Sequence, residues 1–250
     1  MATSSSWQRL VASWLSRDGR PAMPQGITLV ECLMAITVIA ITTAMITPPL
    51  FIAAATRLQN QRAEQAMQIA QGEVDRVRFL VERQRHTPAR LPAVVTAVPI
   101  GNAGAPSGAT GLSASIQSKA TCPNAYNGQP LAATQALQVD DTGDCQADFA
   151  VQMFRTEGQT FASERSLAAG DGRLNRPSNF CLVVRVYGKP AINTLNSGGA
   201  LDTKPASIRF TNGEGNSRTQ PLAVITTPMI WGDRSFSSGQ LQASGGNICR

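Results

Sequence analysis

"MPQGITLVECLMAITVIAI" (Met23–Ile41) decides how the rest of the chain is read. From Ile27 onward it is apolar enough for a membrane helix, yet Glu31 stands fifth in that run. A carboxylate at a bilayer centre costs on the order of 2.5–3.5 kcal/mol on insertion scales, so its place there needs a reason. Ile27 to Ile46 supplies 20 residues with Glu31 as the only charge, enough to cross hydrocarbon as a helix. Arg9, Arg17 and Arg20 precede the run and favour a cytoplasmic N-terminus with the C-terminal part exported. An ordinary secretory signal cut at Ala53–Ala55 does not fit. Its apolar region would run roughly 7–15 residues and would hold no acid.

Composition narrows the functional classes. The chain has 250 residues, room for one membrane segment and one ordinary domain. His86 is its single histidine, which argues against zinc sites and against Ser-His or Cys-His catalysis. The net charge of +6 is spread along the chain, and residues 86–250 hold 13 basic and 10 acidic residues without a Lys/Arg cluster. Nucleic acid is therefore a disfavoured partner.

Gly26-Ile27-Thr28-Leu29-Val30-Glu31, followed at once by the apolar run, resembles the class III signal of type IV prepilins and pseudopilins. The resemblance implies that prepilin peptidase cuts between Gly26 and Ile27 on the cytoplasmic side and methylates the new amine of Ile27. It places Glu31 fifth in the mature chain, where the family has its glutamate. Pro48 becomes the twenty-second mature residue, where many pilins have a helix-kinking proline. Ile27 departs from the commoner Phe. The pattern of Glu31, Leu33, Ala35 and Ile36 is most similar to minor pilins and minor pseudopilins. The resemblance covers about residues 24–60. It implies a structural subunit, not an enzyme and without a cofactor, with other pilin subunits and an inner-membrane assembly platform as partners. The expected location is the inner membrane as a single-pass protein, then a pilus or pseudopilus. A DNA-uptake (competence) pilin with a nucleic-acid-binding exported domain is the alternative. A membrane-anchored periplasmic enzyme is a further rival, disfavoured by the absence of a catalytic motif.

The resemblance also gives Glu31 a physical role. A carboxylate in a low-dielectric core is tolerated when an opposite charge pairs with it. The ammonium of a neighbouring subunit's Ile27 would be that partner, and the acid would then penalise a wrong axial register.

Four stretches are expected: a cleaved leader (1–26), a transmembrane and polymerisation helix (27–49), an amphipathic helix (50–87) and an exported β-rich domain (88–250). In the leader, Trp7, Leu10, Val11, Trp14 and Leu15 have amphipathic helical spacing. Pro48 and Pro49 predict a kink or a melted turn. Beyond them Ala63, Met67, Ala70, Val74, Val77 and Val81 form one helical apolar stripe. Glu73–Arg76, Asp75–Arg78 and Glu82–Arg85 are i, i+3 pairs expected on the solvated side, and Pro88 is expected to end the run. Residues 99–118, rich in Gly, Ala and Ser, read as a long surface loop. Strand-like runs follow at Gln146–Phe154, Phe180–Gly188, Ala206–Thr211 and Leu222–Ile230. The expected class is α+β, a long N-terminal helix packed on an antiparallel sheet, as the pilin resemblance also implies.

Cys122, Cys145, Cys181 and Cys249 lie in the exported part, where disulfides are allowed, and they permit three connectivities. Cys122–Cys145 with Cys181–Cys249 is the favoured pairing, because it closes one short loop and ties the C-terminus to a strand. Asp140, Asp141 and Asp144 surround a Gly turn. Calcium is one reading of these hard oxygen ligands, and an ordinary turn is the other.

Overall fold

The computed structural model describes residues 26–96, 99–206, 216–232 and 248–249. The amphipathic pattern of the leader and the run from Ser207 to Thr211 lie outside these residues. The chain divides into two compact units, Met1–Ala53 and Ala54–Arg250.

Helix α1 (Leu29–Glu82) begins in the first unit and ends in the second. The melted turn expected at Pro48 and Pro49 is absent, since α1 continues through both. Each proline removes one N–H, leaving the carbonyls of Ala44 and Met45 without their usual donors. Unwinding would free still more backbone groups from their partners. The threonines in this stretch bond backwards: Thr37 Oγ donates to the Met34 carbonyl (2.8 Å), Thr43 to Ile39 (2.7 Å) and Thr47 to Thr43 (2.6 Å). Thr42 shares its proton between the carbonyls of Val38 (3.0 Å) and Ile39 (2.9 Å).

In the second unit α1 buries Ala66, Ala70, Glu73, Val74, Val77 and Val81. The stripe expected from the sequence holds from Ala70 onward, whereas Met67 is 40 % exposed and Ala66 takes its place. Glu73 also departs from expectation. It lies inside, with its carboxylate 2.6 Å from Arg76 Nε. Asp75–Arg78 forms on the surface at 3.2 Å. Glu82–Arg85 is not among the ion pairs of the described residues, because the helix stops before Arg85. Gln84 adopts a left-handed conformation (φ 57°), its N–H bonds to the Val81 carbonyl (3.0 Å), and Arg85 N–H bonds to Leu80 (2.8 Å). That is a Schellman closure with Gln in the place usually taken by Gly, and it ends the helix ahead of Pro88.

The sheet is mixed and mostly antiparallel. Its strands are β1 (Ala93–Val94), β2 (Leu112–Ser118), β3 (Ala136–Asp140), β4 (Phe149–Arg155), β5 (Gln159–Thr160), β6 (Pro177–Gly188) and β7 (Ala223–Ile230). The order is β2-β3-β4-β6-β5, with β1 beside β4 and β7 beside β6. The sheet is antiparallel as expected except at two pairings, β2–β3 and β1–β4, which are parallel. Parallel neighbours need a crossover connection, and residues 119–135 are long enough to provide one between β2 and β3. The class is α+β. Within residues 99–118, expected to be loop, β2 and two short 3-10 turns occur. Two short helices, α2 (Ala162–Arg165) and α3 (Lys189–Asn196), complete the described elements.

Strands β4 and β6 are buried along their whole length because both faces are covered. Phe149, Val151, Met153, Phe180, Leu182, Val184 and Val186 face α1, following the two-residue period of a strand. Ala150 and Tyr187 face the other way, onto Ala191, Ile192 and Leu195 of α3. Phe154, Cys181 and Val183 meet Ile100 and Ala103. Each such large apolar side chain contributes about 1.5–3 kcal/mol on burial.

Candidate functional site

Gly26 and Ile27 precede α1, and Glu31 lies in its first turn. Gly26 is exposed, with nothing within 4 Å of where a side chain would begin. The helix starts where it does because Thr28 caps it. Thr28 Oγ accepts the Glu31 N–H at 3.2 Å, and the Thr28 carbonyl accepts from Cys32 N–H at 3.1 Å. Thr28-x-x-Glu31 is the capping-box spacing, which the sequence reading missed although its four-residue signature was legible. Glu31 thus has a local role at the positive end of the helix in addition to any partner it meets.

None of the most apolar 18-residue window of α1 is buried, and among the described residues this one helix is long and apolar enough to cross a membrane. Eleven large apolar side chains between Ile27 and Ile46 are exposed, from 57 % at Ile41 to 79 % at Leu29. Covering them is worth on the order of 15–30 kcal/mol, more than the total stability of a typical domain. Such a surface needs lipid or protein against it. Pro48 lies within the helix, and Cys32 is a free, exposed thiol beside Glu31.

Cys122, Cys145, Cys181 and Cys249 form Cys122–Cys145 and Cys181–Cys249, the favoured pairing. The first bridge closes the turn that holds the three aspartates. Asp140, only 2 % exposed, accepts from Ser118 Oγ (2.7 Å), Gly143 N–H (2.6 Å), Cys145 N–H (2.8 Å) and Thr142 Oγ (3.1 Å). Burial alone would raise its pKa. The donors from Ser118, Gly143, Cys145 and Thr142 outweigh burial and hold the carboxyl well below the usual carboxylate range. Asp141 pairs with Lys119 at 2.8 Å, and Asp144 accepts Gln146 N–H at 2.9 Å. Each of the three calcium candidates therefore has a protein partner, and the donors around Asp140 describe a carboxylate-centred turn. The sulfurs of Cys122 and Cys145 lie near Asp140, but they are bonded to each other and are not metal-ligating thiolates.

Sequence reading did not foresee the polar groups inside the domain. His86 is fully buried, its Nε2 3.1 Å from the Pro177 carbonyl, while Nδ1 has no partner among the described protein atoms. Arg176 grips Glu164 through two bonds (2.5 and 3.2 Å), donates to the Gln84 carbonyl at 2.8 Å and stacks over Trp231 at 4.4 Å. Trp231 also meets His86 edge-on, with ring centres 5.0 Å apart. Burial, reinforced by the Arg176 charge, pushes the His86 pKa down to about 4; the Leu80 and Pro177 carbonyls and the Glu164 carboxylate offset this only in part. On the opposite face Arg185 is 1 % exposed and donates to the carbonyls of Ala103 (2.8 Å) and Gly101 (2.6 Å) and to Gln152 Oε1 (3.2 Å).

Comparison with known protein families, with curated proteins and with solved structures finds no match to this chain. The long apolar N-terminal helix packing on a sheet is compatible with a pilin-like fold.

Proposed function

We propose that this chain is a minor pilin or pseudopilin, a structural subunit that prepilin peptidase processes and that then assembles through α1. The observation that carries the reading is Glu31 in the first turn of an apolar helix, directly after Gly26-Ile27-Thr28-Leu29-Val30. Cleavage between Gly26 and Ile27 would leave an ammonium four residues before that carboxylate. In a bundle of such helices, one subunit's amine and its neighbour's Glu31 neutralise each other, while the exposed Ile, Leu, Val and Met side chains bury one another. Before assembly the same surface rests in the inner membrane, with the amine on the cytoplasmic side and the disulfide-bonded domain exported. The assembly platform and other pilin subunits are the partners of this function, and the chain itself performs no catalysis.

Intact-mass measurement on membrane fractions tests the reading. The expected mature chain begins at methylated Ile27. A chain that keeps its leader in the presence of prepilin peptidase, or one that starts near Thr56, would refute it.

A further inference from the structure

A groove of about 300 Å³ opens on the second unit, between α1, α3 and the turn that carries Arg218. Arg62, Lys189 and Arg218 converge on it together with Asn193, Thr194 and Ser197, and no carboxylate lines it. Among the described residues, neither Arg62 nor Arg218 has a carboxylate within ion-pair distance. Lys189 has only a loose contact, 4.0 Å from Asp148, whose other oxygen is engaged by Asp141 N–H and Thr142. Arg218 is not left to wander. Thr194 Oγ donates to its carbonyl at 2.9 Å, fastening that turn to α3. Three cations gathered at one groove repel each other unless an anion enters. Guanidinium forks, an ammonium and an amide form a donor set that recognises a tetrahedral oxyanion, whereas the hydroxyls of Thr194 and Ser197 already donate to backbone carbonyls. Among the described residues no aromatic side chain lines the groove, so it lacks the aromatic platform on which single-stranded bases stack.

We propose that this groove binds a phosphate-type oxyanion, carried either by free phosphate or by a glycerol phosphate headgroup. The site does not depend on filament assembly. A chain that never enters a pilus would still possess it.

The test is calorimetric titration of the full chain in non-ionic detergent with inorganic phosphate and with glycerol phosphate. Ionic strength is held constant with chloride. Exposed pairs of this kind are individually modest, so millimolar binding is expected. Arg62→Gln and Arg218→Gln should each weaken it about three-fold and the double variant about ten-fold. Without ligand, neither substitution should lower the urea midpoint, because each relieves repulsion. Binding of both probes places recognition in the phosphate group itself, and binding of glycerol phosphate alone identifies a headgroup. The proposal fails if neither probe releases more heat than chloride, or if the double variant binds as the wild type does. It also fails if a short oligonucleotide binds while both small probes do not, since the groove is then part of a polyanion surface.

Discussion

Lowering the pH from 7.5 to 4.5 should weaken the second unit through one imidazole. In the unfolded chain His86 titrates near 6.5, whereas in the fold its pKa is lowered to about 4. Between these values the unfolded state binds a proton that the native state refuses, so stability falls as pH falls. The loss reaches about 2 kcal/mol at pH 5 and levels off at about 3 kcal/mol below pH 4. The structural cause is plain. Burial disfavours the imidazolium, and the Arg176 guanidinium stands nearby. The lowered carboxyls of Asp140, Asp171 and Asp202 act with the usual acid sign. Their contribution is present above pH 4 and is lost only below it, so the window from 6.5 to 4 belongs to His86. With a single histidine in the chain, a ring-labelled NMR titration reads the group without assignment. Urea unfolding of the detergent-solubilised chain at several pH values gives the linked stability. His86→Phe should cost about 1 kcal/mol at pH 7 through the lost bond to Pro177. It should flatten the slope, so that the variant overtakes the wild type near pH 6. A native imidazole that titrates between 6 and 7, or a slope unchanged in the variant, would refute the reasoning.

Two further perturbations separate assembly from folding. Glu31→Val should leave cleavage after Gly26 intact and remove the chain from sheared filaments, because breaking a buried pair costs about 3–5 kcal/mol. Glu31→Gln keeps a capping-box residue, so a defect shared by both variants in filament pull-down assigns the effect to charge, and normal incorporation of Gln refutes the pairing. Replacing Cys181 and Cys249 with Ser opens the longer loop, with a sequence separation of 68, and should cost about 4 kcal/mol; Cys122 with Cys145, separation 23, should cost about 3.5 kcal/mol. Urea midpoints check both, and equal midpoints for the two double variants would contradict loop closure as their cause.

The N-terminal helix was legible because its signals are local: a 20-residue apolar run, then a stripe at helical spacing. Strands β4 and β6 were legible for a related reason, since burial on both faces makes them continuous apolar runs. β2 was not, because Leu112-Ser-Ala-Ser-Ile-Gln-Ser118 offers only two large apolar side chains and its pairing comes from β3. Helix α3 did carry a signal, Pro190 near its start with Ala191, Ile192 and Leu195 on one side, and that signal was passed over. The buried cations could not have been read. Arg185 looks like a surface residue until Gly101 and Ala103, over eighty positions earlier, supply its carbonyls. At the N-terminal segment the motif was read and the equally legible cap by Thr28 was passed over, although both lie in the same six residues. In the basic groove, Arg62, Lys189 and Arg218 are brought together only by tertiary packing.

Thr37, Thr42, Thr43 and Thr47 look like four polar interruptions in the apolar run, yet each hydroxyl proton is spent on a carbonyl of its own helix. What such a residue shows its surroundings is chiefly a methyl group, so whatever covers the helix meets something closer to valine at all four positions. Helices of this kind could slide or rotate against one another without making or breaking threonine hydrogen bonds. Between Ile27 and Ile46 that confines the remaining polar side chains to the helix start, at Thr28, Glu31 and Cys32, with Glu31 the only charge an approaching helix can find.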